Sequence, residues 1–137
     1  MLKKQIVWCA LILALAVLAA CSSTPKAPNF NTLANSQDMR FIGEWEAEYY
    51  YYTLNADGTG VRVFVLGNGE RVSPVNLNWR TTETWLSLLD TSFGTQVTRP
   101  YIFSDDDQVV TLEDFKQVNG FNSGTDSWIK VIEEENT

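Results

Sequence analysis

The sequence predicts an all-β domain, an antiparallel up-and-down meander of about seven or eight strands wound into a barrel or a strongly curled sheet. Three observations predict it. Beyond residue 41, apolar and polar residues alternate with a period of two, the pattern of a strand with one buried face. Clusters of Gly, Asn, Asp and Ser break that alternation roughly every 8–15 residues, as turns do. The breaks are short, and short connections join antiparallel neighbours.

The first run, Gly43 to Thr53, reads as a single strand. Its alternation sends Trp45, Ala47, Tyr49 and Tyr51 toward the core and Glu44, Glu46, Glu48, Tyr50 and Tyr52 away from it. The turn cluster Asn55-Ala56-Asp57-Gly58-Thr59-Gly60 leads into Val61–Leu66, and Gly67-Asn68-Gly69 reverses the chain. Val75, Leu77 and Trp79 alternate with Asn76, Asn78 and Arg80 in the next run. Thr84–Leu89 and Thr95–Phe103 follow. Pro100 marks an edge or a bulge, because proline donates no ladder hydrogen bond. Ser104-Asp105-Asp106-Asp107 turns the chain into Gln108–Leu112, and Asn119–Gly124 forms a loop before the last strand near Ser127–Glu133. Closing the sheet would remove its exposed edges.

The N-terminus has a different character. Lys3 and Lys4 precede an uncharged run from Ile6 to Ala20, shorter than the roughly 20 residues a transmembrane helix needs. This is the shape of a secretory signal peptide. Leu18-Ala19-Ala20-Cys21 resembles the lipobox of bacterial lipoproteins. That resemblance implies cleavage before Cys21, a diacylglycerol on its thiol and an acylated new amine. Two or three acyl chains hold a protein on a membrane where one binds only marginally. By the same resemblance, Ser22 directs the protein to the outer membrane, facing the periplasm. Ser22 to Met39 is polar and carries Pro25 and Pro28, so it reads as a flexible tether. The expected division is therefore 1–20 signal peptide, 21–40 lipidated cysteine and tether, and 41–135 β domain.

Composition narrows the function. The full chain has 10 basic and 17 acidic side chains, a net charge of −7, and loss of Lys3 and Lys4 makes it more acidic still. Nucleic-acid binding relies on Lys and Arg neutralising phosphates, so no nucleic-acid partner is expected. Cys9 leaves with the signal peptide and Cys21 is taken by lipid, so no thiol or disulfide remains in the mature domain. Histidine is absent, which removes the common catalytic triads and most zinc sites. Glu83, Asp90, Glu113 and Asp114 are available acids without the spacing of a paired-carboxylate hydrolase. No catalytic residue, cofactor or metal is expected. Asp105-Asp106-Asp107 and Asp57-x-Thr59 offer hard oxygens suited to Ca²⁺, yet lack a full ligand set and read as solvated turns. Glu133-Glu134-Glu135 reads as a solubilising tail.

Gly43-Glu44-Trp45 is similar to the Gly-x-Trp opening of lipocalins and related calycin barrels. Leu54-Asn55-Ala56-Asp57-Gly58-Thr59-Gly60 resembles the "FNADGTG" turn of small bacterial lipocalin-like lipoprotein domains. Trp79, Trp85-Leu86-Ser87-Leu88, Tyr101-Ile102-Phe103 and Val109-Val110-Thr111-Leu112-Glu113-Asp114 follow in the order of those domains. The resemblance covers most of residues 41–132, without the lipocalin Thr-Asp-Tyr motif. It implies a barrel whose Trp45 packs across the closed end against a cation near the last strand, here Lys130. Trp45, Tyr49, Tyr51, Trp79 and Lys130 are the candidate ligand contacts or structural plug. Tyr50 and Tyr52, assigned to the outer face, are a candidate partner surface. The expected role is a membrane-anchored, non-catalytic binding module for a small apolar ligand. The alternative is a structural accessory or inhibitor that meets another envelope protein through an exposed strand face.

Overall fold

The computed structural model describes residues 26–113 and 125–132. The signal-peptide segment, Cys21, Asp114, the Asn119–Gly124 loop and the acidic C-terminal run lie outside the described residues. Eight strands form one closed antiparallel barrel in simple sequential order. They are β1 (Gly43–Glu46), β2 (Tyr50–Leu54), β3 (Thr59–Val65), β4 (Arg71–Thr81), β5 (Trp85–Asp90), β6 (Gln96–Phe103), β7 (Val109–Leu112) and β8 (Asp126–Lys130). β8 returns to pair with β1 through Trp45–Lys130 and Glu46–Ile129. No α-helix occurs among the described residues; two 3-10 turns, Phe30–Thr32 and Met39–Phe41, precede the barrel. This is the lipocalin-like up-and-down architecture.

The predicted Gly43–Thr53 strand is in fact a hairpin. Ala47, Glu48 and Tyr49 reverse the chain, with the Ala47 N–H donating to the Tyr50 carbonyl at 2.9 Å. Trp45 then pairs with Tyr52, and Glu46 with Tyr51. Side chains directly opposite one another share a face, so the turn shifts the alternation by one residue. Tyr52 and Leu54 therefore face inward with Trp45. Tyr51 faces outward, buried beneath the Arg71 guanidinium 3.6 Å from its ring. Tyr49 is exposed in the turn, and Tyr50 is partly buried against the core.

Two prolines and two glycines adapt the ladder. Pro100 sits neither at an edge nor at a bulge: its carbonyl accepts from the Glu113 N–H one residue past β7, so the N–H that proline lacks would point where that ladder has already ended. The bulge lies between β3 and β4, where register shifts around Ser73, whose φ is 54°, next to Pro74. Gly58 turns the β2–β3 connection with φ 83°. Its carbonyl accepts from the Trp79 N–H at 2.8 Å, and the Trp79 indole donates to the carbonyls of Asn55 and Thr59 at 3.0 and 3.1 Å. Gly60 brings β2 and β3 together so closely that a Cβ there would lie 2.6 Å from the Thr53 carbonyl oxygen.

The N-terminal segment differs most from expectation. From Pro28 onward the expected tether is an arm laid on the barrel wall. Gln96 donates to the Pro28 carbonyl at 3.2 Å and accepts from the Phe30 N–H at 3.0 Å. Arg80 donates to the Phe30 carbonyl at 2.9 Å and stacks on its ring at 4.3 Å. Ser36 and Asp38 then bond Thr81. Arg80, Ser87 and Thr98 share the outer face by pairing, and the arm explains why Ser87 and Thr98 are buried there, hydroxyl to hydroxyl at 2.8 Å. Phe30 and Leu33 supplied too sparse an apolar signal to mark this arm among the polar residues.

Candidate functional site

The barrel has two unlike ends. At one, the arm passes beneath the barrel and inserts Phe41 as a stopper. Phe41 meets Tyr101 and Phe103 with ring centroids 4.8 Å apart and Trp45 and Trp79 at 6.2 Å. Trp45 is fully buried, and its indole N–H donates to the Phe41 carbonyl at 2.7 Å. The Lys130 ammonium lies 5.4 Å from the Trp45 ring and donates to the Arg40 carbonyl at 3.3 Å. Arg40 covers Phe103 at 4.2 Å and pairs with Asp38 at 2.6 Å. Hydrogen bonds from Arg40 hold the Asp38 carboxyl below its ordinary pKa. Burial, then the neighbouring Asp38 charge, pushes the Tyr101 hydroxyl up to about 12; that hydroxyl donates to Asp38 and the Thr82 carbonyl. This end is closed, and most of its polar groups satisfy one another, although Gln108 Oε1 is buried at the β6–β7 turn without a hydrogen-bond partner among the described residues. An open surface groove of about 560 Å³ runs beside it past Ser36, Asp38, Thr82 and Glu83.

The opposite end is open and contains charge. Pairing carries the inward face from Trp45 through Tyr52 to Arg62, and from Leu77 to Asp90, Leu86 to Arg99 and Leu112 to Asp126. Burying charge is costly unless partners are supplied. Arg99 has them: its guanidinium donates to the carbonyls of Leu112 and Glu113 at 3.0 and 3.1 Å and stands 4.0 Å from Asp126. Asp90 accepts from the N–H groups of Ser92 and Phe93 at 2.8 and 3.0 Å. Arg62 rests over the Tyr50 ring at 4.9 Å, and no ion pair within 4.0 Å engages it among the described residues.

Among the described residues, two cavities lie in this half of the interior. One, about 170 Å³, is bounded by Tyr52, Arg62, Leu77, Leu88, Asp90 and Val97. The other, about 50 Å³, lies against Arg99, Asp126 and Trp128, and shares Tyr52, Leu88 and Val97 with the first. Tyr52 stacks on Trp128 with centroids 4.0 Å apart, and burial raises its hydroxyl's pKa strongly.

Of the candidate residues, Trp45, Trp79 and Lys130 gather at the closed end, whereas Tyr49 and Tyr51 join neither end's interior. Tyr52, assigned to an outer surface, is interior and lines the pocket instead. The turn acids cap their own turns: Asp57 accepts from Thr59, and Asp106 from Ser104 and Gln108. The charged wall was missed. Arg99 and Asp90 share parity with Tyr101 and Leu88, so a charge in phase with the apolar residues was the readable signal. Arg62, between Val61 and Val63, carried none.

A scan against protein-family models and a search of curated proteins gave no match to this chain.

Proposed function

We propose that this chain is a bacterial envelope lipoprotein, cleaved before and acylated on Cys21, whose barrel is a non-catalytic binding module facing the periplasm from the outer membrane. The observation that carries the binding role is the open-end pocket, about 170 Å³, where the Arg62 guanidinium meets an apolar floor of Leu77, Leu88 and Val97. Sites for drug-sized ligands span roughly 300–1,000 Å³, so this space suits a compact ligand with an anionic group and a short apolar body. Arg62 supplies charge-assisted hydrogen bonds to the anion.

The test is an NMR titration of the soluble chain beginning at Ser22 with butyrate and with inorganic phosphate. Saturable shifts at Arg62, Leu88 and Val97 that vanish in Arg62→Leu support the pocket; unmoved resonances refute it. Fatty-acid labelling that persists in Cys21→Ser refutes the anchor.

A second reading, an accessory that contacts another envelope protein, has its own observation. Ile102 and Ile129 are 59 % and 58 % exposed on the outer wall, with Val109 of β7 between them and paired to Ile129. Unchanged envelope crosslinks in Ile102→Ser and Ile129→Ser would count against it.

A further inference from the structure

We infer that the open end of the barrel is set against the bilayer, with the turns of its rim dipping into the headgroup region. The inference rests on acylation of Cys21 and adds the orientation that acylation alone leaves free.

The path of the arm is the first argument. The chain leading from Cys21 is first gripped by Gln96, through the Pro28 carbonyl and the Phe30 N–H. Gln96 opens β6, directly after the β5–β6 turn at the open end. From there the arm runs to Thr81 and under the closed end. The lipid-bearing side of the chain therefore departs beside the open rim. Six residues lie between Cys21 and Pro28, and the seven Cα steps, fully extended, reach no more than about 25 Å. That is a short leash, and it begins at the mouth.

The two ends also differ in surface chemistry. The described rim turns carry exposed apolar side chains: Tyr49 between β1 and β2 at 54 % exposure, Leu66 between β3 and β4, and Phe93 between β5 and β6 at 83 %. The closed-end turns carry five acids, Asp57, Glu83, Asp105, Asp106 and Asp107, beside Arg40, Lys130 and the exposed Met39 and Ile132, whereas the described rim turns have Glu48, Glu70 and Glu113 among their apolar residues. Anionic headgroups repel that end, while the bilayer interface accepts aromatic rings.

Phe93 is held in place. The Asp90 carboxylate accepts from the Ser92 and Phe93 N–H groups, the Asp90 carbonyl accepts from Gly94 at 2.9 Å, and Thr91 is bonded to Asn76 of β4. The turn Thr91-Ser92-Phe93-Gly94-Thr95 contains no charge. A rigid, uncharged turn presenting one ring to solvent spends little backbone ordering entropy when that ring enters a membrane. With acyl chains already holding the protein, these residues set orientation rather than attachment.

The experiment uses full-length protein purified from membranes, with a single added cysteine carrying an environment-sensitive fluorophore. The protein is reconstituted in phosphatidylethanolamine–phosphatidylglycerol vesicles containing nitroxide lipids. Phe93→Cys and Leu66→Cys report on the rim, and Asp106→Cys on the opposite end. The expected result is blue-shifted emission and nitroxide quenching at 93 and 66, with neither at 106. Mass spectrometry of the same samples reads the acyl chains on Cys21. Acylated Cys21 with equal, unquenched emission at all three positions overturns the orientation alone. Unmodified Cys21 overturns the anchor, and the orientation with it.

Discussion

Phe30→Ala tests whether the arm belongs to the folded domain. Phe30 is 3 % exposed although it lies outside the barrel, covered by the Arg80 guanidinium and tied to the wall through Gln96 and Arg80. Burying a Phe side chain contributes about 1.5–3 kcal/mol, a cation–π contact about 0.5–2, and Phe→Ala at buried sites costs about 3–5. The top of that range is out of reach, because the arm can let go of the wall instead of preserving a void. We expect a loss of about 3 kcal/mol, lowering Tm by roughly 10–20 °C for a domain of this size. Urea and thermal denaturation of the soluble chain, followed by circular dichroism, read both quantities. Leu33→Ala added to Phe30→Ala should cost much less than the sum of the single changes, because both residues sit on one arm that detaches as a unit. A change below about 0.5 kcal/mol, the size of an ordinary surface substitution, would refute the reasoning and restore a flexible tether.

Other outcomes follow from the closed end and the ladder. Trp45→Phe removes the indole N–H bonded to the Phe41 carbonyl and weakens the Lys130 contact, so the urea midpoint should report a loss of about 2 kcal/mol. Gly60→Ala forces a methyl against the Thr53 carbonyl of the neighbouring strand and should cost more than about 2 kcal/mol, measured the same way. The pKa of Asp38 is lowered in the fold, so its stabilisation is present above its unfolded value and lost as pH falls through the folded one. Tm should therefore drop as pH is taken below about 4, and Asp38→Asn should flatten that part of the profile.

The strand positions after residue 58 were legible because most runs alternate and the reversals, apart from Thr82-Glu83-Thr84, carry Gly, Asn or Asp. The first hairpin was not. Ala47, Glu48 and Tyr49 contain no turn-forming residue, so the alternation seemed to pass straight through and inverted the faces of the four tyrosines. The closed-end pair of Trp45 and Lys130 could be named in advance only through a resemblance to other barrels; nothing local connects residues 45 and 130. The arm was hidden for a different reason. Besides Phe30 and Leu33, its hold on the wall comes largely from main-chain groups bonded to Gln96, Arg80 and Thr81, and such groups leave no mark in a sequence. The open-end pocket depends on Arg62, whose place on the inner face follows from its pairing with Tyr52, and that pairing was concealed with the hairpin.

The seam between β1 and β8 has a consequence for how the interior exchanges with its surroundings. Trp45–Lys130 and Glu46–Ile129 are its paired positions, whereas other neighbouring strands are zipped over longer stretches. A cylinder laced so briefly along one line parts there first. Amide protons of β1 and β8 should therefore exchange with deuterium ahead of those of β4 and β5, and this line offers small molecules a side door to Tyr52 and Trp128.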